Sequence, residues 1–141
     1  MSQAAVAQEA LAPDKASKLE LKNITVITST ANEAHNHATV CVSFNGMTTV
    51  HEAQGTGPID ALYKAFNSYS PGLFVEKWKA ESEGRGSDAV AISKVTIRCD
   101  DLKVYHGEGR HHNTWQSAAM AIVEALNMHF YYLHKNPPPK K

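Results

Sequence analysis

Gly55-Thr56-Gly57-Pro58-Ile59-Asp60-Ala61-Leu62 closes a strand-like run and opens a helix, and how this stretch is read decides the fold. Pro58 falls at a first helical position, where its missing N–H costs nothing. Ile59, Leu62, Tyr63 and Phe66 then share one helical face, and Ser70-Pro71-Gly72 ends the segment. A second Gly-x-Gly, Gly107-Glu108-Gly109, precedes another amphipathic stretch running from Trp115 to Leu133. Its apolar stripe is Trp115, Ala118, Ala119, Ile122, Leu126, Phe130 and Leu133. The second pair begins 107 − 55 = 52 residues after the first, a period that points to two equivalent supersecondary units. Both glycine pairs are expected at strand-to-helix turns, where a helix N-terminus offers backbone N–H groups to an anion.

The flanking runs complete each unit. Leu19, Leu21, Ile24 and Val26 predict a first strand with an irregularity near Asn23. The run from Ala38 to Phe44 is β-branched, and Asn45-Gly46 after it predicts a type I′ hairpin returning through Met47 to Gln54. Leu73 to Ala80 opens the second unit, followed by a turn at Gly84-Arg85-Gly86-Ser87 and a long strand from Ala89 to Cys99. Asp100-Asp101 then turns into a strand from Leu102 to His106. The expected fold is α+β: duplicated βββα units, each antiparallel sheet covered by a helix, related by a pseudo-twofold. Unit one takes residues 19–70 and unit two residues 71–134. The Ala-rich residues 1–18 are predicted to form a mobile arm or a frayed helix. Residues 135–141, Lys-Asn-Pro-Pro-Pro-Lys-Lys, form a basic tail that stops the second helix by about Lys135.

Composition bounds the function. At 141 residues the chain suits one domain, with 43% hydrophobic and 20% charged residues. Lys+Arg and Asp+Glu are 14 each, so nothing in the charge draws a polyanion, and nucleic acid is not an expected partner. No run approaches the ~18 apolar residues that span a bilayer. Cys41 and Cys99 lie in separate strand-like runs, no disulfide framework. The N-terminus has no basic residue before Lys15, unlike a secretory leader, so a cytoplasmic protein is expected.

Taken together and in order, these motifs resemble a known family. The stretch Gly55 to Leu62 is similar to the G-x-G-P-V-D-A segment in the C-terminal regulatory domain of α-isopropylmalate synthase. Gly86-Ser87-Asp88-Ala89 matches that domain's G-x-D-A element. Gly107-Glu108-Gly109 with Ala121 and Ala125-Leu126-Asn127 resembles its G-x-G…A-x-x-x-A-L-N ending, so the likeness covers about residues 19–130. It implies βββα units that form a homodimer and bind a feedback inhibitor, leucine in the synthase and isoleucine in the related citramalate synthase. Carried over by position, it points to Gly55, Gly57, Ile59 and Trp78 as ligand-binding residues, and in unit two to Gly107, Gly109, His111, His112 and Asn113. A helix N-terminus suits the ligand's carboxylate, and Ile59 with Trp78 would line an apolar pocket. Asp60 is expected to favour the first helix's N-terminus.

The synthase's catalytic barrel needs ~250 residues, and nothing before Leu19 supplies them. The resemblance therefore implies a stand-alone regulatory domain, acting on a partner condensing acyltransferase, with no catalytic residue, metal or cofactor of its own. His35-Asn36-His37 has the look of the synthase's metal motif, but it is read as a loop without carboxylate partners. The chain departs from the family at Asn113 and Thr114, where an acidic and an aliphatic residue are usual, and at His111-His112. Those histidines, with His106, motivate a different reading: a small isomerase or cyclase using histidine as acid and base in the former effector pocket.

Overall fold

The computed structural model describes residues 17–28 and 36–137. Residues 1–16 of the expected arm and 138–141 of the tail lie outside them. The described elements are β1 (Leu19–Ile27), β2 (Asn36–Phe44), β3 (Met47–Gly55), α1 (Pro58–Lys64), β4 (Phe74–Glu83), β5 (Val90–Arg98), β6 (Val104–His111) and α2 (Thr114–Lys135). Short 3₁₀ turns follow α1 at Asn67–Tyr69 and precede β5 at Gly86–Asp88. The strands make two antiparallel sheets, β1-β2-β3 and β4-β5-β6, each followed by its helix. The βββα unit thus occurs twice, as the sequence implies. No helix among the described residues is long and apolar enough to cross a membrane.

Local chemistry accounts for the elements. Asn45 and Gly46 take positive φ (52° and 87°), the type I′ geometry that their sequence favours. Lys18 closes this turn, its N–H donating to Asn45 Oδ1 at 2.9 Å and its carbonyl accepting from Asn45 N at 3.0 Å. β2 buries Ala38, Val40 and Val42 at alternate positions, and β5 does the same with Ala91, Val95 and Ile97. Leu62 and Phe66 pack on the first sheet, Ile122 and Leu126 on the second, and both sets join one core. Phe44 of β2 lies 5.3 Å from Phe130 of α2 between ring centroids, tying the two units together.

The repeat is real, but its register differs from the glycine spacing. Each unit's first strand carries a one-residue bulge, at Lys22 and at Glu76. From these bulges the ladders correspond row by row: Ile24–Val40–His51 matches Trp78–Val95–Gly107. Carried to the end, Asn36–Gly55 matches Ala91–His111, and the helix starts Pro58 and Thr114 match each other. Gly55 and Gly57 therefore correspond to His111 and Asn113, 111 − 55 = 56 residues on, and not to Gly107 and Gly109. The expected 52-residue period is corrected to this one.

Gly107 and Gly109 are not a turn at all, because β6 continues to His111. They are the places where α2 meets the sheet. A Cβ on Gly107 would lie 2.0 Å from Ala121 O and 2.7 Å from Ala125 N. One on Gly109 would lie 2.2 Å from Ser117 O. In unit one the counterpart of Gly107 is His51, whose Nε2 lies 2.8 Å from Tyr69 Oη. The difference follows helix length: α1 has 7 residues and stops short, whereas α2 has 22 and runs over β6.

α2 also bridges the units, packing on β6 and β5 and touching β1. Its buried residues consequently include Ser117, Ala121, Ala125 and His129 beyond the expected stripe, while Trp115 is half-buried and Leu133 partly exposed. Asn127 grips the free edge of β1, its Oδ1 accepting from Leu19 N and its Nδ2 donating to Leu19 O, both at 2.8 Å. Glu124 Oε1 likewise accepts from Glu108 N on the β6 edge at 2.8 Å. One residue on each of these sheet edges, Leu19 and Glu108, is thus held by a side chain of α2, which hinders strand addition at that point. His37, expected in a loop without carboxylates, lies in β2 with Nε2 3.1 Å from Glu52 Oε1.

A polar cluster sits where α2 crosses the β5–β6 turn. His129 is buried, with Nε2 3.5 Å from Asp100 Oδ1 and Nδ1 3.5 Å from Asp101 Oδ2. Burial pushes the neighbouring Cys99 thiol up to about 11. Burial alone would raise the Asp101 carboxyl too, but the Tyr105 hydroxyl at 2.7 Å and the Lys103 N–H at 2.9 Å hold it below its ordinary value. A depressed carboxyl contributes stability above its unfolded value, lost as pH falls through the folded one. Urea midpoints between about pH 4 and pH 2 are expected to fall less steeply in Asp101→Asn than in the unsubstituted chain. Parallel acid limbs would show that Asp101 carries no such linkage.

Candidate functional site

The expected site residues divide between two equivalent strand-to-helix junctions. In unit one Gly55 ends β3 beneath the start of α1, where a Cβ would lie 2.5 Å from both Ala61 N and Asp60 Oδ2. Gly57 is the N-cap in extended backbone (φ −156°), and a Cβ there would meet nothing within 4 Å. Thr56 N donates to Asp60 Oδ2 at 2.9 Å, and Lys64 Nζ binds the same oxygen at 2.9 Å. Burial would lift the Asp60 carboxyl, but Lys64 and the Thr56 N–H hold it below its ordinary value. The chain's own carboxylate thus already occupies this helix start, as expected of Asp60.

Unit two replaces the glycines with polar caps. Asn113 is the N-cap of α2, its Oδ1 accepting from Gln116 N at 3.0 Å. Asn113 N donates to His111 Nδ1 at 3.0 Å, and His112 Nδ1 donates to Ala89 O at 3.3 Å. All three residues are exposed.

Trp78 completes this junction together with Trp115. Its ring stacks on Trp115, the second residue of α2, at 5.5 Å and 28°. By the register of the repeat, Ile59 is the counterpart of Trp115 and Ile24 that of Trp78. Ile59 and Trp78 therefore occupy different positions of two related junctions. The Trp78 indole donates to Ser93 Oγ at 3.2 Å, which lies 2.7 Å from Ser117 Oγ, itself bonded to Thr114 O at 2.6 Å. These two fully buried serines carry polar contacts from the indole to the first turn of α2. Ser117 lies beside the expected apolar stripe, and its burial is decided by the packing of α2 on the sheet.

Past Trp78, on the same face of β4, Ala80 and Ser82 are exposed, because α2 begins at Thr114 and leaves that corner of the sheet uncovered. A half-buried indole pair beside small residues and a capped helix start makes an apolar ledge with polar groups at one end. Such a surface suits a small amphipathic ligand. Gly107 and Gly109 lie buried under α2 and present no backbone to it.

Of the three candidate histidines, His111 and His112 lie together, their ring centroids 6.5 Å apart, and His106 stands away from them. His106 alternates onto the outer face of its sheet, where Nδ1 lies 3.0 Å from Thr96 Oγ1 in an open depression of 930 Å³. His111 lies five residues along the strand, ~17 Å away.

Comparison with known proteins bears on this geometry. The family model described as the LeuA allosteric (dimerisation) domain matches residues 2–130. The 2-isopropylmalate synthase of Shewanella loihica is 28% identical over 104 residues, covering 73% of this chain and 20% of the relative. That of Shewanella pealeana is 30% identical over 104 residues, with the same coverage. That of Methylorubrum populi is 28% identical over 111 residues, covering 78% of this chain and 21% of its own. The chain spans about a fifth of the length of the curated relatives it matches.

Proposed function

Because this chain belongs to the LeuA allosteric (dimerisation) domain family, we propose that it forms a homodimer, binds a branched-chain amino or keto acid of the leucine type, and so regulates a condensing acyltransferase. The observation that carries this reading is the Trp78–Trp115 stack beside the uncovered corner of β4. The ligand's aliphatic side chain packs on the indoles, and its polar end meets His111, His112 and Asn113 at the start of α2. Gly55, Gly57 and Ile59 form the related position of unit one. Gly107 and Gly109 contribute by letting α2 approach the sheet. The ligand regulates only if it binds two states of the partner unequally.

The chain's two tryptophans are the stacked pair, so intrinsic fluorescence reports this junction directly. Titration with leucine, isoleucine, valine and 2-oxoisovalerate is expected to give saturable heat and a change in tryptophan emission for at least one of them. Sedimentation should show a dimer at the same concentrations. Absence of heat with all four would remove the ligand, and a monomer throughout would remove the dimer.

A further inference from the structure

The two strand-to-helix junctions differ at matched positions. By the register of the repeat, Trp78, Ser93, Trp115 and Ser117 of unit two correspond to Ile24, Ala38, Ile59 and Ala61 of unit one. Unit one thus fills these positions with aliphatic side chains alone, and Ala38 and Ala61 are fully buried there. Unit two puts indoles where unit one has isoleucines, and buried hydroxyls where it has alanines. Burying a hydroxyl is unfavourable unless it is hydrogen-bonded, and unit one shows that the fold closes this corner without any. Packing therefore does not call for the serines. The Trp78 indole does, because an N–H turned into the core needs an acceptor.

The hydrogen bonds of this set have one order. Ser117 Oγ donates its hydrogen to Thr114 O at 2.6 Å, so at the 2.7 Å contact between the serines it accepts from Ser93 Oγ. Ser93 Oγ in turn accepts from Trp78 Nε1 at 3.2 Å. Each donor ends on an acceptor, and the last acceptor is the carbonyl of the first residue of α2. We infer that Ser93 and Ser117 are positioning residues: they hold the Trp78 ring in the plane that stacks on Trp115, and tie that plane to the first turn of α2. Because this rests on the indole ledge being the ligand site proposed above, it makes that site a property of unit two, absent from unit one. A ligand that tilts Trp78 then pulls on the first turn of α2, and α2 holds β1 of unit one through Asn127.

The two indole N–H signals of the isotope-labelled protein test the relay without a ligand. Ser93→Ala removes the acceptor of Trp78 and should shift its Nε1 proton signal and speed its exchange with solvent. Ser117→Ala, one hydroxyl further along, should do the same more weakly, with circular dichroism unchanged. The double variant Ser93→Ala with Ser117→Ala reproduces the Ala38–Ala61 pair of unit one, which keeps the test open if a single variant folds poorly. Leucine affinity measured by calorimetry should fall at least about threefold in the double variant. Against a Trp78→Phe background, which has no indole N–H to hold, the same two substitutions should leave leucine affinity unchanged. An equal further loss in that background would overturn the relay, as would a Trp78 signal indifferent to Ser117→Ala in the folded protein. If leucine gives no heat with the unsubstituted protein, that result counts against the ligand reading, and the ligand-free Trp78 shifts still decide the positioning role.

Discussion

Gly107→Ala is expected to destabilise the protein by roughly 3 kcal/mol or more, enough to leave a domain of ordinary stability partly unfolded. The added Cβ would stand 2.0 Å from Ala121 O and 2.7 Å from Ala125 N. Both obstacles are helix backbone, so no side-chain rotation relieves the contact, and α2 must lift off β6 as a body. Lifting it also strains the grips of Glu124 on Glu108 N and of Asn127 on Leu19. Gly109→Ala should behave similarly, because its Cβ would lie 2.2 Å from Ser117 O. Gly57→Ala is the contrasting case: with extended backbone and nothing within 4 Å, it should cost no more than about 1 kcal/mol, the loss of a favourable N-cap residue. Urea unfolding of the three variants checks this, and equal losses at Gly57 and Gly107 would refute the packing role.

Asn127→Ala is expected to cost about 2 kcal/mol, since it strips partners from the backbone N–H and C=O of Leu19 at once. Leu19 is almost fully buried, so water replaces the lost amide poorly. Asn127→Asp should be worse than a simple loss, because a carboxylate facing the Leu19 carbonyl can accept but not donate. Hydrogen exchange gives the specific readout: the Leu19 amide should exchange much faster in Asn127→Ala, which removes its acceptor, than in Asn127→Asp, which keeps one, while the Val42 and Ile97 amides in the sheet centres follow only the global change. Unchanged Leu19 exchange in Asn127→Ala would mean that the β1 edge is held by something else.

Much of this architecture could be read from short stretches. The Asn45-Gly46 turn, the proline at the first position of α1, and the alternation in β2 and β5 each depend on neighbours a few residues away. Those signals sufficed for two βββα units in the right order. The bulge at Lys22 was visible as an irregularity near Asn23, but its twin at Glu76 was not, because Phe74 to Trp78 shows no comparable break in pattern. The site was less legible. The sequence marks Trp78 but sets its partner Trp115 on a core stripe, because periodicity cannot say where a covering helix leaves a sheet open. His129 carries no local signal, because its carboxylate neighbours come from the β5–β6 turn, brought to it only by the crossing of α2.

The paired Gly-x-Gly motifs divide the two kinds of knowledge most clearly. By itself the sequence determined that two strand-rich units each end in a helix, because hydrophobic period, turn residues and proline placement are local and act through nearest neighbours. Only the tertiary structure decided that the glycine pairs are not equivalents. The first lies at a junction, the second beneath a helix, and the true counterparts of the first are His111 and Asn113. The physical reason is helix length: the 7-residue α1 leaves room for His51 on its sheet, whereas the 22-residue α2 presses its backbone onto β6 and tolerates no side chain. The contacts that hold α2 there, such as Asn127 to Leu19 across 108 residues of chain, exist only once both units have folded together.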